Sequence, residues 1–185
     1  SYMMPVTVTA LMFKFMLSPS NGIINDIMVG MHLIGEPIPW LLDGGTAIWG
    51  LIIANSWIGI PFNMLILTTG LANISEDIYE SAKIDGANGW QIFRRIMIPS
   101  IRPVLNTTLL ISIMNNFQMY TIIYNMTAGG PMNKTTTLSI AAYTKAFTEY
   151  DLGAGSAIGV LWLLVLAIFT VFYNKRANKS QEDYM

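Results

Sequence analysis

No lysine or arginine occurs from Phe15 to Ala82, and within that stretch Ile48 to Leu71 is an apolar run long enough to cross a bilayer. About 20 apolar residues cover a hydrocarbon core ~30 Å thick, where only helices and closed barrels satisfy their own backbone. Hydrophobic residues make up 53% of the chain and charged residues 11%, against about 25% charged in an ordinary soluble domain. These features predict an all-α, polytopic transmembrane helical bundle with about four spans: Tyr2 to Leu17, Ile48 to Leu71, Val104 to Met126 and Ser156 to Tyr173. The first is short and starts without a flank, and no signal-peptide pattern precedes it, so further N-terminal spans are expected to be missing.

Basic residues set the orientation, because Lys and Arg resist translocation while acidic residues contribute little. Lys83, Arg94, Arg95 and Arg102 cluster between Ala72 and Arg102, and Lys175, Arg176 and Lys179 lie in the tail, so both segments read as cytoplasmic. Residues 18–47 and 127–155 are then external, although the second carries Lys134 and Lys145. Lys14, near the outer end of the first span, can snorkel to the interface.

A net charge of −1 offers no field for nucleic acid, and the absence of cysteine excludes disulfides and thiolate chemistry. The single histidine, His32, reads as an ordinary interfacial side chain, so no metal site and no catalytic residue is expected. Gly130 to Thr135 has the outline of a phosphate-binding loop, but the glycine before Lys134 is missing and Pro131 removes an amide donor. Any ATP used must therefore be hydrolysed by another subunit.

Along the chain, Ser18 to Gly22 is a turn signal, and Asn21 is a candidate cap for a short surface helix with Ile23, Ile24, Ile27, Met28 and Met31 as its apolar stripe. Pro61 lacks the amide that would bond Trp57, so a kink is expected in the second span. Ala128 to Pro131 breaks the chain. An amphipathic helix is expected over Thr135 to Tyr150, and the last span is expected to begin after Gly153 and Gly155.

The insert between the second and third spans is hydrophilic and built as two short helices. Ser75 is a candidate N-cap, Glu76 and Asp77 suit the first turn, Gly86 permits the positive φ of a sharp turn, and Asn88 with Gln91 forms a candidate capping box. Pro99 and Pro103 are expected to stop the second helix. On charge alone such a hairpin is equally well a solvated connection.

The spacing Glu80-Ser81-Ala82, three residues, Gly86, nine residues, Ile96, one residue, Ile98-Pro99 resembles the EAA loop of ABC-importer permeases, with Ser81 in place of the second alanine. Asn73 to Glu80, Ile84 to Ala87, Phe117-Gln118 and Gly129-Gly130-Pro131 extend the resemblance to the carbohydrate-uptake branch, the maltose and glycerol-3-phosphate type. The resemblance implies the ABC type I importer permease fold, as a single domain over residues 1–185 with a coupling loop at 72–102 and a cytoplasmic tail at 174–185. It also implies a bacterial or archaeal cytoplasmic membrane location. Implied partners are a second permease subunit, two cytoplasmic ATPase subunits that hold ATP and magnesium, an extracytoplasmic solute-binding protein and a sugar. Glu80, Ser81, Ala82, Asp85, Gly86, Ile98 and Pro99 would form the coupling contact, with Glu80 pairing with a basic residue of the ATPase.

Polar groups also cluster within two spans: Asn55, Ser56, Gly59 and Asn63 in one, and Asn106, Thr108, Ser112, Asn115, Asn116 and Gln118 in the other. Amides and hydroxyls suit a neutral polyol, and Tyr120 and Tyr124 offer aromatic surface for a sugar ring. They serve equally well as bonds between helices. By resemblance, Asn55, Gly59, Ser112, Asn115 and Asn116 are the candidate substrate contacts. No Asp, Glu, Lys or Arg lies mid-span, which argues against an ion-coupled carrier or channel; a membrane scaffold is the third reading.

Overall fold

The computed structural model describes residues 3–182, and among them only helices and connecting turns occur. Two compact units share the chain: one takes the residues up to Gly59 and Phe117–Ala167, the other Ile60–Asn116 and the residues from Ile168 on.

In the first unit, α1 (Val6–Met16) packs against α8 (Thr121–Met126). Ala10, Phe13 and Leu17 of the α1 region meet Leu51 and Ala54 of α3 (Ala47–Ala72), Ile122, Ile123 and Met126 of α8, and Ile140 of α9 (Leu138–Tyr143). Trp57 closes the edge of this core, its ring centroid 6.2 Å from Phe13. α2 (Ile23–Gly30) begins at Gly22 rather than at a side-chain cap from Asn21. A Cβ at Gly22 would lie 2.2 Å from Ser18 O, so close backbone approach decides this helix start. The inward side of α2 combines half-buried Ile24, packed against the core, with one fully buried polar residue. Asn25 is 1% exposed, donates from Nδ2 to Ile38 O at 2.9 Å and to Ser18 O at 3.3 Å, and accepts at Oδ1 from Ile38 N and Trp40 Nε1, each at 3.1 Å.

α9 runs into a π-helical turn, Thr144–Thr148, so the amphipathic element occupies the C-terminal part of the expected 135–150 stretch. Within it Lys145 donates to Glu149, a hydrogen bond that, with the opposite charge, raises the ammonium pKa. The last helix, α10 (Leu152–Glu182), starts earlier than expected and contains both glycines. Asp151 Oδ1 accepts from Ala154 N at 2.9 Å and so caps it. Gly155 is needed for packing: its Cβ would sit 3.0 Å from Ala146 N and 3.1 Å from Ala142 O. α10 is unbroken to Glu182, through most of the tail expected at 174–185, and the last three residues lie outside the described ones.

The second unit holds α4 (Glu76–Ile84), α5 (Gly89–Ile92), a π-helical turn (Phe93–Met97), α6 (Ile98–Ser100) and α7 (Arg102–Phe117). Val104 of α7 faces Gly70 of α3, and Tyr173 Oη donates to Asn106 O at 2.7 Å.

By length and composition, α3, with 26 residues, and the Leu152–Lys175 part of α10, with 24, are long enough to span a bilayer. At 1.5 Å per residue they reach about 39 and 36 Å. Pro61 lies inside α3 without ending it. The other two expected spans differ. α1 has 11 residues. The third stretch stops at Phe117 and resumes at Thr121, and its lower end is bent by 68° against Gly89–Ser100. Asn115, Asn116 and Gln118 explain the upper break: polar side chains compete with the backbone, as where Asn116 Nδ2 donates to Ser112 O at 2.7 Å.

Candidate functional site: the loop and the polar helix faces

Local chemistry builds the loop. Ser75 Oγ accepts from Asp77 N at 3.3 Å and caps α4, whose first turn holds Glu76 and Asp77 and whose last holds Lys83, each complementing the helix dipole. At the other end Gly86 has φ of +77°. Its N–H donates to Lys83 O at 3.0 Å while Ala87 N donates to Ala82 O at 2.9 Å, the paired bonds of a Schellman motif. Asn88 then opens α5 with a full capping box: Gln91 N donates to Asn88 Oδ1 at 2.9 Å, and Asn88 N donates to Gln91 Oε1 at 2.8 Å. The hairpin thus has both of its helix ends at the turn satisfied internally.

Proline does not stop the second helix as expected. Pro99 sits within α6, where the wider turn from Phe93, with Ile98 N bonded to Phe93 O, accommodates it, and the break comes at Ile101. Pro103 falls in the first turn of α7, where its missing N–H costs nothing.

Glu80, Ser81 and Asp85 are exposed, as are Ile98 and Pro99, whereas Ala82 is 8% exposed and packs inward. The residues that sequence reasoning missed are apolar. Ile84 is 86% exposed and Trp90 67%, with Trp90 stacked on Phe93 at 5.6 Å. Large apolar side chains on a hydrophilic hairpin were the available signal.

The polar helix faces fall into two sets. Asn55 and Gly59 lie one turn apart on the part of α3 in the first unit. Ser112 and Asn116 lie one turn apart on α7 in the second, with Asn115 exposed beside them. Ser112 Oγ donates to Asn63 Oδ1 at 2.7 Å, so this hydroxyl bridges two helices. Thr108 is buried and turned to its own helix, donating to Val104 O at 2.7 Å. Tyr120 and Tyr124 stack at 5.1 Å, and Tyr143 lies 5.1 Å from each. An open groove of about 440 Å³ lined by Tyr120, Tyr143, Phe147 and Trp162 adjoins them. No group of three or more His, Cys, Asp or Glu side chains able to hold a metal occurs among the described residues.

The family described as binding-protein-dependent transport system inner membrane component matches residues 1–181. A probable ABC transporter permease protein of Brucella suis biovar 1 is 33% identical over 178 residues, covering 96% of this chain and 62% of the relative. The trehalose/maltose transport system permease protein MalF of Thermococcus litoralis is 34% identical, covering 92% and 57%. The lactose transport system permease protein LacF of Rhizobium radiobacter is 34% identical, covering 92% and 58%. The chain thus spans about three fifths of the length of these relatives. In fold it matches a bacterial ABC transporter chain involved in alginate import, with a TM-score of 0.86 and 22% identity over 96% of this chain and 62% of that one. With the family matched across residues 1–181, this chain belongs to the inner membrane components of binding-protein-dependent transport systems.

Proposed function

We propose that the chain is part of the transmembrane permease subunit of an ATP-driven sugar importer, and that the loop from Glu80 to Pro99 couples it to ATPase subunits. The observation that carries the reading is the capped hairpin at Gly86, which holds exposed Glu80, Ser81, Asp85 and Ile84 on a braced scaffold. A rigid element with a mixed acidic and apolar surface is suited to seat in a groove, and a charge pair at Glu80 gains strength as the interface excludes water. Ala82 supports this surface from within, and Ile98 and Pro99 lie just before the bend that leads into α7.

The chain is not itself an enzyme on this reading. ATP and magnesium belong to two cytoplasmic ATPase subunits, a second permease completes the pathway, and an extracytoplasmic solute-binding protein delivers the sugar. Lys83, Arg94, Arg95 and Arg102 support a cytoplasmic loop, and Lys175 supports a cytoplasmic C-terminus in the inner membrane. Nucleotide-driven movement of the loop would bias the spans between two conformations, which is alternating access.

Asn55 with Gly59, and Ser112 with Asn116 and Asn115, are proposed to line the pathway along their own helices. α3 has no charged residue, in keeping with a neutral sugar as cargo. The test is uptake of maltose, trehalose and lactose by the assembled transporter in vesicles, with its binding protein outside. Uptake that requires internal ATP is expected; gradient-driven uptake without ATP would favour a secondary carrier instead. In the same assay Asn116→Leu is expected to lower uptake about tenfold, as a site built to hydrogen-bond a hydroxyl loses that partner. Unchanged uptake and selectivity would remove Asn116 from the lining.

A further inference from the structure

The groove beside the end of α1 has the chemistry of a phospholipid site. It has a volume of about 590 Å³, and Leu11, Phe15, Leu41, Leu42 and Met126 are among the residues that line it. Phe15 is 75% exposed and Leu42 70%. Lys14 is the single charged residue among those lining it. Its Nζ donates to Asn125 O at 3.1 Å, one of three donors that an ammonium offers. No ion pair to Lys14 occurs among the described residues. Lys134 adds a second cation nearby, its side chain lying over Gly44, while Asp43 turns its carboxylate to Gly45 N at 3.0 Å.

The depth of the groove follows from its neighbour. Ser18 and Pro19, which line it, lead directly into α2. The outer stripe of α2, Ile23, Ile27 and Met31, is at least half exposed and recurs at four-residue spacing, opposite buried Asn25. In a membrane protein an amphipathic helix of this kind lies along the interface, where acyl chains give way to headgroups. Apolar walls with Lys14 among them, and Lys134 by Gly44, match a lipid whose headgroup carries net negative charge.

We propose that this groove binds an anionic phospholipid, its acyl chain against Leu11, Phe15 and Leu42 and its phosphate on Lys14 Nζ. The proposal rests on membrane residence alone and is independent of what the transporter carries. The test uses the assembled transporter in bilayer discs containing equal phosphatidylglycerol and phosphatidylcholine, with retained lipid counted by native mass spectrometry after detergent exchange. Wild type is expected to keep phosphatidylglycerol in preference. Lys14→Gln should lower that retention at one site per copy about fivefold, while Lys14→Arg preserves it. Equal retention of the two lipids by wild type, or undiminished phosphatidylglycerol on Lys14→Gln, overturns the proposal and points to a groove covered by protein or by unselective boundary lipid. Should Lys14→Gln fail to assemble, the wild-type competition decides by itself.

Discussion

Replacing Asn25 by leucine is expected to destabilise the assembled transporter more than any other single change on the α2 side of the chain. The leucine is close in volume, so no large cavity forms. What is lost is the set of four hydrogen bonds through which Asn25 ties α2 to Ser18, Ile38 and Trp40. The Ile38 amide and the Trp40 indole N–H would be left facing an apolar side chain in a place that is 1% exposed at Asn25. An orphaned buried donor costs about 1 to 3 kcal/mol, so the two donors alone imply roughly 2 to 6 kcal/mol. Thermal unfolding of the detergent-solubilised transporter would read this as a lowered midpoint. Asn25→Asp should also fall, because a carboxylate presents an acceptor to Ser18 O and Ile38 O where the amide presented a donor. A midpoint equal to wild type in Asn25→Leu would mean that the 31–46 segment is held by contacts other than this side chain.

Gly86→Val is expected to lower coupling about tenfold or more without unfolding the spans. A Cβ at Gly86 would meet nothing within 4 Å, so space is not the obstacle. The obstacle is the backbone: φ of +77° costs an L-residue about 1 to 2 kcal/mol, and more when it is β-branched. Relief of that strain requires giving up the Schellman bonds from Gly86 and Ala87, which set the direction of α4 against α5. The effect should be graded. Gly86→Asn retains most substrate-stimulated ATP hydrolysis, since asparagine tolerates the left-handed region, Gly86→Ala loses part, and Gly86→Val loses roughly tenfold or more. Equal activity across the three would show that the turn geometry is not used.

The parts of this structure that could be read from sequence are those decided by a few adjacent residues. Gly86 with its positive φ, Ser75 at the start of α4 and the Asn88–Gln91 capping box all follow from local hydrogen bonding, and each is present. α3 and α10 were legible because long apolar runs have few alternatives. What could not be read depends on approach between distant segments. Gly22 starts α2 because Ser18 O and Met16 O crowd its Cβ position, and Gly155 lies inside α10 because Ala142 and Ala146 press against it. Asn25 gave no signal as a hub, since an asparagine among isoleucines reads equally as a turn residue. The break between Phe117 and Thr121 was hidden by the apolar residues on both sides of it, and Pro99 looked like a terminator until the π-helical turn before it gave its ring room. Among the candidate lining residues, Ser112 illustrates the limit: its bond to Asn63 is interhelical, and sequence alone offered that role and a ligand role on equal terms.

The exposed hairpin around Gly86 is proposed as the surface that meets the ATPase. These 185 residues contain no cysteine, so single cysteines report on position in a transporter whose cysteines elsewhere have been replaced. Ser81→Cys, on the exposed side of α4, and Met132→Cys, 82% exposed in the Gly129–Thr135 turn, can each carry a thiol-linked benzophenone in the assembled, ATPase-bound transporter. Illumination is predicted to join Ser81→Cys to an ATPase subunit and to leave Met132→Cys without an ATPase adduct. An ATPase adduct from Met132→Cys with none from Ser81→Cys would contradict both the topology and the coupling role of the loop.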